Sequence, residues 1–274
     1  DGDDFDDFAV GAPRANTGGF GGTGRVWVYS GQTGTPLHIF TGPDSGMRFG
    51  ESLAGGGDFN NDGTPDIVIG APSADPGGLF NPGSIFVYSG ADWSELARFD
   101  GPASFFQLGE EVAFAGDVNN DGFDDVIGAA PFADPAGHVF VYSGADDSVQ
   151  HHFQGAVIDD SLGSGIAGVG DYNGDNMNDL LVGAPGADPG GIEGAGEAFL
   201  FSGADGSVLE HYTGVELFGD FGRSCAGGAD VNGDGVPDFS IGASLDAISG
   251  GQSGAAFLYS GADGSLIRKF EGLD

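Results

Sequence analysis

Residues 58–72 read DFNNDGTPDIVIGAP, an acidic nine-residue loop that runs straight into an apolar strand. Asp58, Asn60, Asp62 and Asp66 stand at loop positions 1, 3, 5 and 9, with Gly63 at position 6. A sharp turn at position 6 favours a residue without Cβ, and four side-chain oxygens at this spacing suit one hard cation. The backbone carbonyl of Thr64 at position 7, together with water, would complete the all-oxygen shell that calcium takes.

The stretch recurs as DVNNDGFDDVIGAAP from Asp117, DYNGDNMNDLLVGAP from Asp171 and DVNGDGVPDFSIGAS from Asp230, with successive loops starting 59, 54 and 59 residues apart. The same five ligand positions fall on Asp117, Asn119, Asp121, the Phe123 carbonyl and Asp125; on Asp171, Asn173, Asp175, the Met177 carbonyl and Asp179; and on Asp230, Asn232, Asp234, the Val236 carbonyl and Asp238. Counting back one period makes the N-terminal DGDDFDDFAVGAP a copy cut inside its loop, with Asp1, Asp3 and Asp7 at positions 3, 5 and 9. The expectation is about one calcium ion per repeat, up to five in all. A fixed period of this length means a propeller, solenoid or array. The repeats span approximately 1–42, 43–101, 102–155, 156–214 and 215–274.

An EF-hand loop would need an acidic residue at position 12 leading into a helix. Position 12 here is Ile69, Gly128, Val182 or Ile241, which offer no side-chain ligand and sit in strand-like surroundings. Plain Asp/Asn/Gly turns are the other alternative, but they do not explain four copies with the same oxygens in the same places.

Composition narrows the function classes. The formal net charge is −35 with seven basic residues, a surface that repels phosphate backbones and anionic headgroups, so nucleic acid and acidic membranes are excluded as partners. Five calcium ions would offset roughly 10 of those charges. The single cysteine, Cys225, allows no intrachain disulfide and aligns with Leu53, Val112 and Ile166, so an apolar packing role is expected of it. There is no apolar run long enough to span a bilayer as a helix. Calcium loops of ordinary affinity fill where calcium is near millimolar, which points outside the cell.

Each full repeat reads as four short strands. The first, such as Phe49 to Asp58 (FGESLAGGGD), is rich in Gly and Ala, as suits an innermost position where backbones crowd together. The second (DIVIGAP) and third (SIFVYSG) are apolar on successive residues, so both faces are expected to be buried. The fourth carries Arg98, His151, His152, His211, Arg268 and Lys269, as an outer edge protected by charge would. The third and fourth are joined by SGAD, which is read as a tight hairpin. The fold expected is all-β: a single β-propeller domain over residues 1–274, built of four-stranded antiparallel blades, with the first of five blades lacking its innermost strand.

Phe49-Gly50 and Gly70-Ala71-Pro72 flanking a DxNxDGxxD loop resemble the FG-GAP repeats of integrin alpha subunits and related bacterial surface proteins, over essentially the whole chain. The resemblance implies that the family's calcium ligands fall on the loop positions named above, in the hairpin between the first two strands. Departures are Leu108 and Leu162 for the Phe, Ala129-Ala130-Pro131 and Gly242-Ala243-Ser244 for Gly-Ala-Pro, and Asn176 and Asp4 for the loop glycine. It also implies that a protein or glycan partner is received on the face opposite the calcium hairpins. There the loops present Phe20, Met47, Arg48, Phe80, Phe105, Phe106, Ile192 and Phe218. Trp93, in the turn after the third strand, could stack on a sugar. The reading is adhesion, scaffolding or recognition without catalysis, and the alternative is the propeller of a secreted polysaccharide lyase or glycoside hydrolase, whose two carboxylates such an acidic chain could supply. An incomplete first blade would also leave an edge open to self-association.

Overall fold

The computed structural model describes residues 2–3, 5–16, 21–246 and 253–272. They fall into two compact units, residues 1–112 and 113–274, taken here in turn. Among the described residues helix is confined to two single 3-10 turns, Pro76–Gly78 and Pro189–Gly191, each in a loop between second and third strands.

The first unit holds a three-stranded sheet, β1 (Phe8–Ala12), β2 (Arg25–Tyr29) and β3 (Pro36–Thr41), and a four-stranded one, β4 (Leu53–Gly55), β5 (Ile67–Ala71), β6 (Ser84–Tyr88) and β7 (Glu95–Asp100). Both are antiparallel meanders in chain order. Every residue of β5 is buried, as its unbroken apolar run requires. Among the described residues β1 is bonded to β2 alone, and Phe8 and Val10 on it are exposed.

The predicted ten-residue first strand is shorter than expected: β4 covers Leu53–Gly55 only. Phe49 and Gly50 precede it in a turn, with Gly50 at φ +87°, and their task is packing between repeats. The Phe49 ring is fully buried, edge-on to Phe86 at 5.4 Å. A Cβ on Gly11, the first residue of repeat one's Gly-Ala-Pro, would strike the Gly50 carbonyl, and one on Gly24 would strike the Phe49 backbone. The Phe-Gly of each repeat therefore docks backbone-to-backbone on the Gly-Ala-Pro of the repeat before it. Gly70 and Gly83 stand in the same relation to Gly109 and Leu108.

The second unit repeats the scheme three times. Its sheets are β8 (Glu111–Gly116, crossing the unit boundary) with β9 (Asp125–Ala130), β10 (His138–Tyr142) and β11 (Val149–Gln154); then β12 (Gly165–Gly170), β13 (Asp179–Ala184), β14 (Glu197–Phe201) and β15 (Val208–Thr213); then β16 (Phe221–Ala229), β17 (Asp238–Ala243), β18 (Ala255–Tyr259) and β19 (Leu266–Glu271). Gly183 faces Gly222, and Gly137 and Gly196 face Leu162 and Phe221. The Gly/Ala-rich first strands crowd as expected: a Cβ on Gly168 would meet the Ala115 backbone at 2.5 Å, and one on Gly227 the Gly168 carbonyl at 2.7 Å. Cys225 is half-buried on β16, paired with Ile241.

Two expectations need correcting. The SGAD turns are wider than tight hairpins: Ser89 N–H donates to the Ser94 carbonyl at 2.8 Å across a bulge at Val87/Tyr88, and Ser89 Oγ and Asp92 Oδ1 accept from Ala91 and Ser94 N–H. Side chains satisfy the turn, so it need not be tight. Four of the basic residues of the fourth strands are more than edge deterrents, because they lie over aromatic rings of the third strands in cross-strand register. Arg98 is paired with Phe86, His152 with Phe140, His211 with Phe199 and Lys269 with Phe257. The cations stand 4.9 Å (Arg98) and 4.8 Å (Lys269) from the ring centres, and the two imidazoles stack within 4° of parallel. Such pairs contribute about 0.5–1 kcal/mol each. Arg98→Ala is expected to lower stability by about 1 kcal/mol, read as a shift in urea midpoint at unchanged slope.

Candidate metal centres

The four complete loops fold alike. In the first, Asp58 accepts from Asp62 N–H at 2.9 Å and Gly63 N–H at 2.8 Å, Asn60 Oδ1 accepts from Asp62 N–H at 3.0 Å, and Asp62 Oδ1 accepts from Thr64 N–H at 2.9 Å. Asp117, Asn119 and Asp121 accept the corresponding bonds in the second. So do Asp171, Asn173 and Asp175 in the third, and Asp230, Asn232 and Asp234 in the fourth. Positions 1, 3 and 5 are thus turned inward by the loop's own N–H groups, each oxygen keeping a further lone pair. Asn176, in place of the loop glycine, takes φ +68° and still donates to Asp171 at 2.8 Å, so this departure leaves the turn intact.

Position 9 has a structural task that the sequence did not reveal. Asp66 accepts from Phe59 N–H at 2.8 Å within its loop and, with its other oxygen, from Gly90 N–H at 3.0 Å in the turn after the third strand. Asp125 reaches Gly144, Asp179 reaches Gly203 and Asp238 reaches Gly261 in the same way. The invariant glycine of the four SGAD turns was the available signal, since a Cβ on Gly90 would strike the Pro65 carbonyl. These four carboxylates are buried. Burial raises Asp66 and Asp179 above the ordinary carboxylate value and pushes Asp125 up to about 7, against the pull of their N–H donors. Asp62 is fully exposed and moves the other way, held low by the Asn60 amide and Thr64 N–H.

In the N-terminal loop, Asp3 Oδ1 accepts from Phe5 N–H at 3.0 Å and Asp7 Oδ1 from Gly31 N–H at 3.0 Å, matching positions 5 and 9. Asp1, Asp4 and Phe20 lie outside the described residues. Among the described residues no three Asp, Glu, His or Cys side chains converge at metal-ligand separation. The donor set nonetheless fits a hard cation: oxygen only, preoriented at positions 1, 3 and 5, with no nitrogen or sulfur competitor. Asp58, Asn60, Asp62, Asp66 and the Thr64 carbonyl, with their counterparts, would hold it, and the ion would supply charge neutralisation. Position 12 falls inside the second strands, which excludes the helix an EF-hand requires.

The loop face differs in part from expectation. Phe80 and Phe105 are two-thirds exposed and stacked at 6.1 Å, and Phe218 is also exposed, but Met47 is buried against Phe49 and Val26. Arg48 is engaged by Glu51 at 2.8 Å and Glu110 at 2.9 Å, and Phe106 and Ile192 are half-buried. Leu79, Phe132, Val157, Ile158, Val215 and Leu217 are exposed on the same kinds of loop and were missed, because single apolar residues in loops carry no period. Trp93 does not offer a free ring face: it stacks on His38 at 5.0 Å and 12°, edge-on to Phe40.

A chain of antiparallel sheets, four of them four-stranded with an acidic oxygen-lined hairpin between their first two strands, is an all-β repeat protein of the propeller-blade type. The FG-GAP repeat model matches residues 1–29, 49–88, 108–142 and 163–201, and the chain belongs to the FG-GAP repeat family. It is 35% identical over 216 residues to integrin alpha-5 of Xenopus laevis, covering 71% of this chain and 20% of that protein. It is 30% identical over 203 residues to integrin alpha-V of Gallus gallus (68% and 19%) and 35% identical over 190 residues to integrin alpha-7 of Mus musculus (65% and 15%). The chain thus matches between 15% and 20% of the length of these relatives. No helix among the described residues is long and apolar enough to cross a membrane.

Proposed function

We propose that the chain is a calcium-binding, extracellular, integrin-alpha-like β-propeller that works without catalysis in adhesion, scaffolding or recognition of a protein or glycan. The observation that carries this is the same oxygen-lined loop, bonded the same way four times, in a chain similar to integrin alpha subunits. The five repeats form one propeller domain. Calcium fills the hairpins, and the partner sits on the opposite loops, where Phe80, Phe105 and Phe218 stand exposed.

A glycan and protein-ligand array in millimolar calcium, run beside a degradation screen on the same glycans, tests this reading. Binding without turnover is expected; turnover would favour the polysaccharide-degrading alternative. Phe105→Ser with Phe106→Ser is expected to weaken whatever binding is found by about tenfold or more while leaving the calcium-dependent melt nearly unchanged. Unfolding of the double variant would show these rings to be caps of the core.

A further inference from the structure

Position 3 of each complete hairpin is an asparagine, and the residue after it divides the four loops into two pairs. Asn60 and Asn119 precede Asn61 and Asn120, whereas Asn173 and Asn232 precede Gly174 and Gly233, the two Asn-Gly steps of the sequence. The turn does not demand that glycine. Position 4 is left-handed in all four loops, at φ +54° and +58° on the asparagines and +81° and +78° on the glycines, and asparagine tolerates that conformation. What glycine changes is access: without a Cβ, its backbone nitrogen lies open to the side chain of the residue before it. Asn173, Gly174, Asn232 and Gly233 are all exposed, and a Cβ on either glycine would meet nothing within 4 Å.

The hairpin also readies both reacting groups. Asn173 Oδ1 accepts Asp175 N–H at 2.9 Å and Asn232 Oδ1 accepts Asp234 N–H at 2.8 Å, so each amide carbon is polarised and a donor stands where attack would create an oxyanion. Gly174 N–H donates to Asp171 Oδ1 and Gly233 N–H to Asp230 Oδ1, both at 2.7 Å. A carboxylate thus already holds the proton that the attacking nitrogen must shed.

We propose that Asn173 and Asn232 are self-modification sites, at which the chain deamidates itself by ring closure onto Gly174 and Gly233. The Gly174 nitrogen bonds to Asn173 Cγ and gives up its proton to Asp171 or water; the side-chain nitrogen takes up a proton and leaves as ammonia, and a succinimide remains. Water then opens the ring at one carbonyl to give aspartate or at the other to give isoaspartate. The net change is side-chain amide plus water to carboxylate plus ammonium. Aspartate puts a charged oxygen where position 3 had a neutral one. Isoaspartate lengthens the loop backbone by one carbon and shortens the side chain by one, which takes that oxygen out of register with positions 1 and 5. Control of the step rests on the function proposed above: an ion ligated by Asp171 and Asn173 occupies both the carboxylate and the amide oxygen and keeps the ring from closing. The third and fourth hairpins then record time spent without calcium.

The test is peptide mass mapping of the whole chain after incubation at neutral pH, in calcium and in chelator, with circular dichroism confirming that the sheets are intact. In chelator Asn173 and Asn232 are expected to convert from amide to acid about tenfold or more faster than Asn60 and Asn119, and calcium is expected to slow them about tenfold. Gly174→Asn, which copies the first two loops, is expected to bring Asn173 down to the rate of Asn60 while leaving Asn232 unchanged, and Asn61→Gly to raise Asn60. Equal rates at the four asparagines in chelator, or no slowing of Asn173 by Gly174→Asn, would overturn the inference. So would a much faster conversion of Asn173 in urea than in the folded, chelated chain, since the hairpin would then shield the step instead of readying it. Selective conversion that calcium does not slow would keep the self-modification and remove calcium from these hairpins, so the two readings fail separately. If chelator melts the sheets, calcium is stepped down only as far as the fold persists; Asn173 is again expected to outrun Asn60, and equal rates overturn it.

Discussion

Gly183→Val is expected to cost about 3 kcal/mol or more, a loss large enough to melt the second unit near ambient temperature. Gly183 lies in the interior of β13, and the difficulty is room: a Cβ there would coincide with the Gly222 carbonyl of the next repeat, with the Gly222 carbonyl carbon and Cα at 2.7 and 2.8 Å. Both partners are backbone within hydrogen-bonded structure, so no side chain can swing aside. Accommodation requires prising β13 and β16 apart, which also loosens Leu181, Phe221 and Ile241 in their shared core. The urea midpoint of the variant against the parent measures it. A variant within 0.5 kcal/mol of the parent, about the scatter of neutral surface changes, would show that the sheets are not held at this separation.

The other large effect is expected from removing the proposed calcium. Each hairpin places three carboxylates within nine residues, and Asp66, Asp125, Asp179 and Asp238 are buried at the loop's end. At extracellular-type affinities of about 0.1–1 mM and millimolar calcium, linkage supplies roughly 0.4–1.4 kcal/mol per site, so up to five sites together supply several kcal/mol. Chelator should therefore lower the melting temperature by several degrees or more, and a melt indifferent to chelator would sink the calcium assignment. Asp62→Ala and Asp121→Ala, which remove a position-5 ligand, should each lower the melt in calcium and have a much smaller effect in chelator. Asp125→Ala should destabilise under both conditions, because it also releases Val118 and Gly144 N–H. That contrast separates ligand from staple.

Much of this was legible in the sequence because it is local and periodic. The loop register, the full burial of β5, β9 and β13 and the crowding of Gly/Ala first strands follow from short runs whose spacing repeats. What escaped depends on contacts between distant segments. Phe49-Gly50 looked like the start of a strand, since nothing within FGESLAGGGD shows that Gly11 and Gly24 of another repeat press on it. The structural task of Asp66 was hidden because its bond to Gly90 crosses 24 residues. The rings beneath Arg98 and Lys269 were invisible until strands three and four were placed in register.

The docking of each Phe-Gly on the repeat before it also sets the natural unit of duplication. A cassette running from one Phe-Gly to the next carries a complete acidic hairpin, a complete sheet, the entering half of one junction and the receiving half of the next. A deletion that joins Arg48 to Leu108 would therefore leave every remaining junction of the same kind, with Leu108-Gly109 now seated on repeat one. A cut made through the Phe-Gly turn instead would separate the two residues that a single junction needs. Arrays of this kind can lengthen or shorten by recombination at that one seam without any new surface having to be invented.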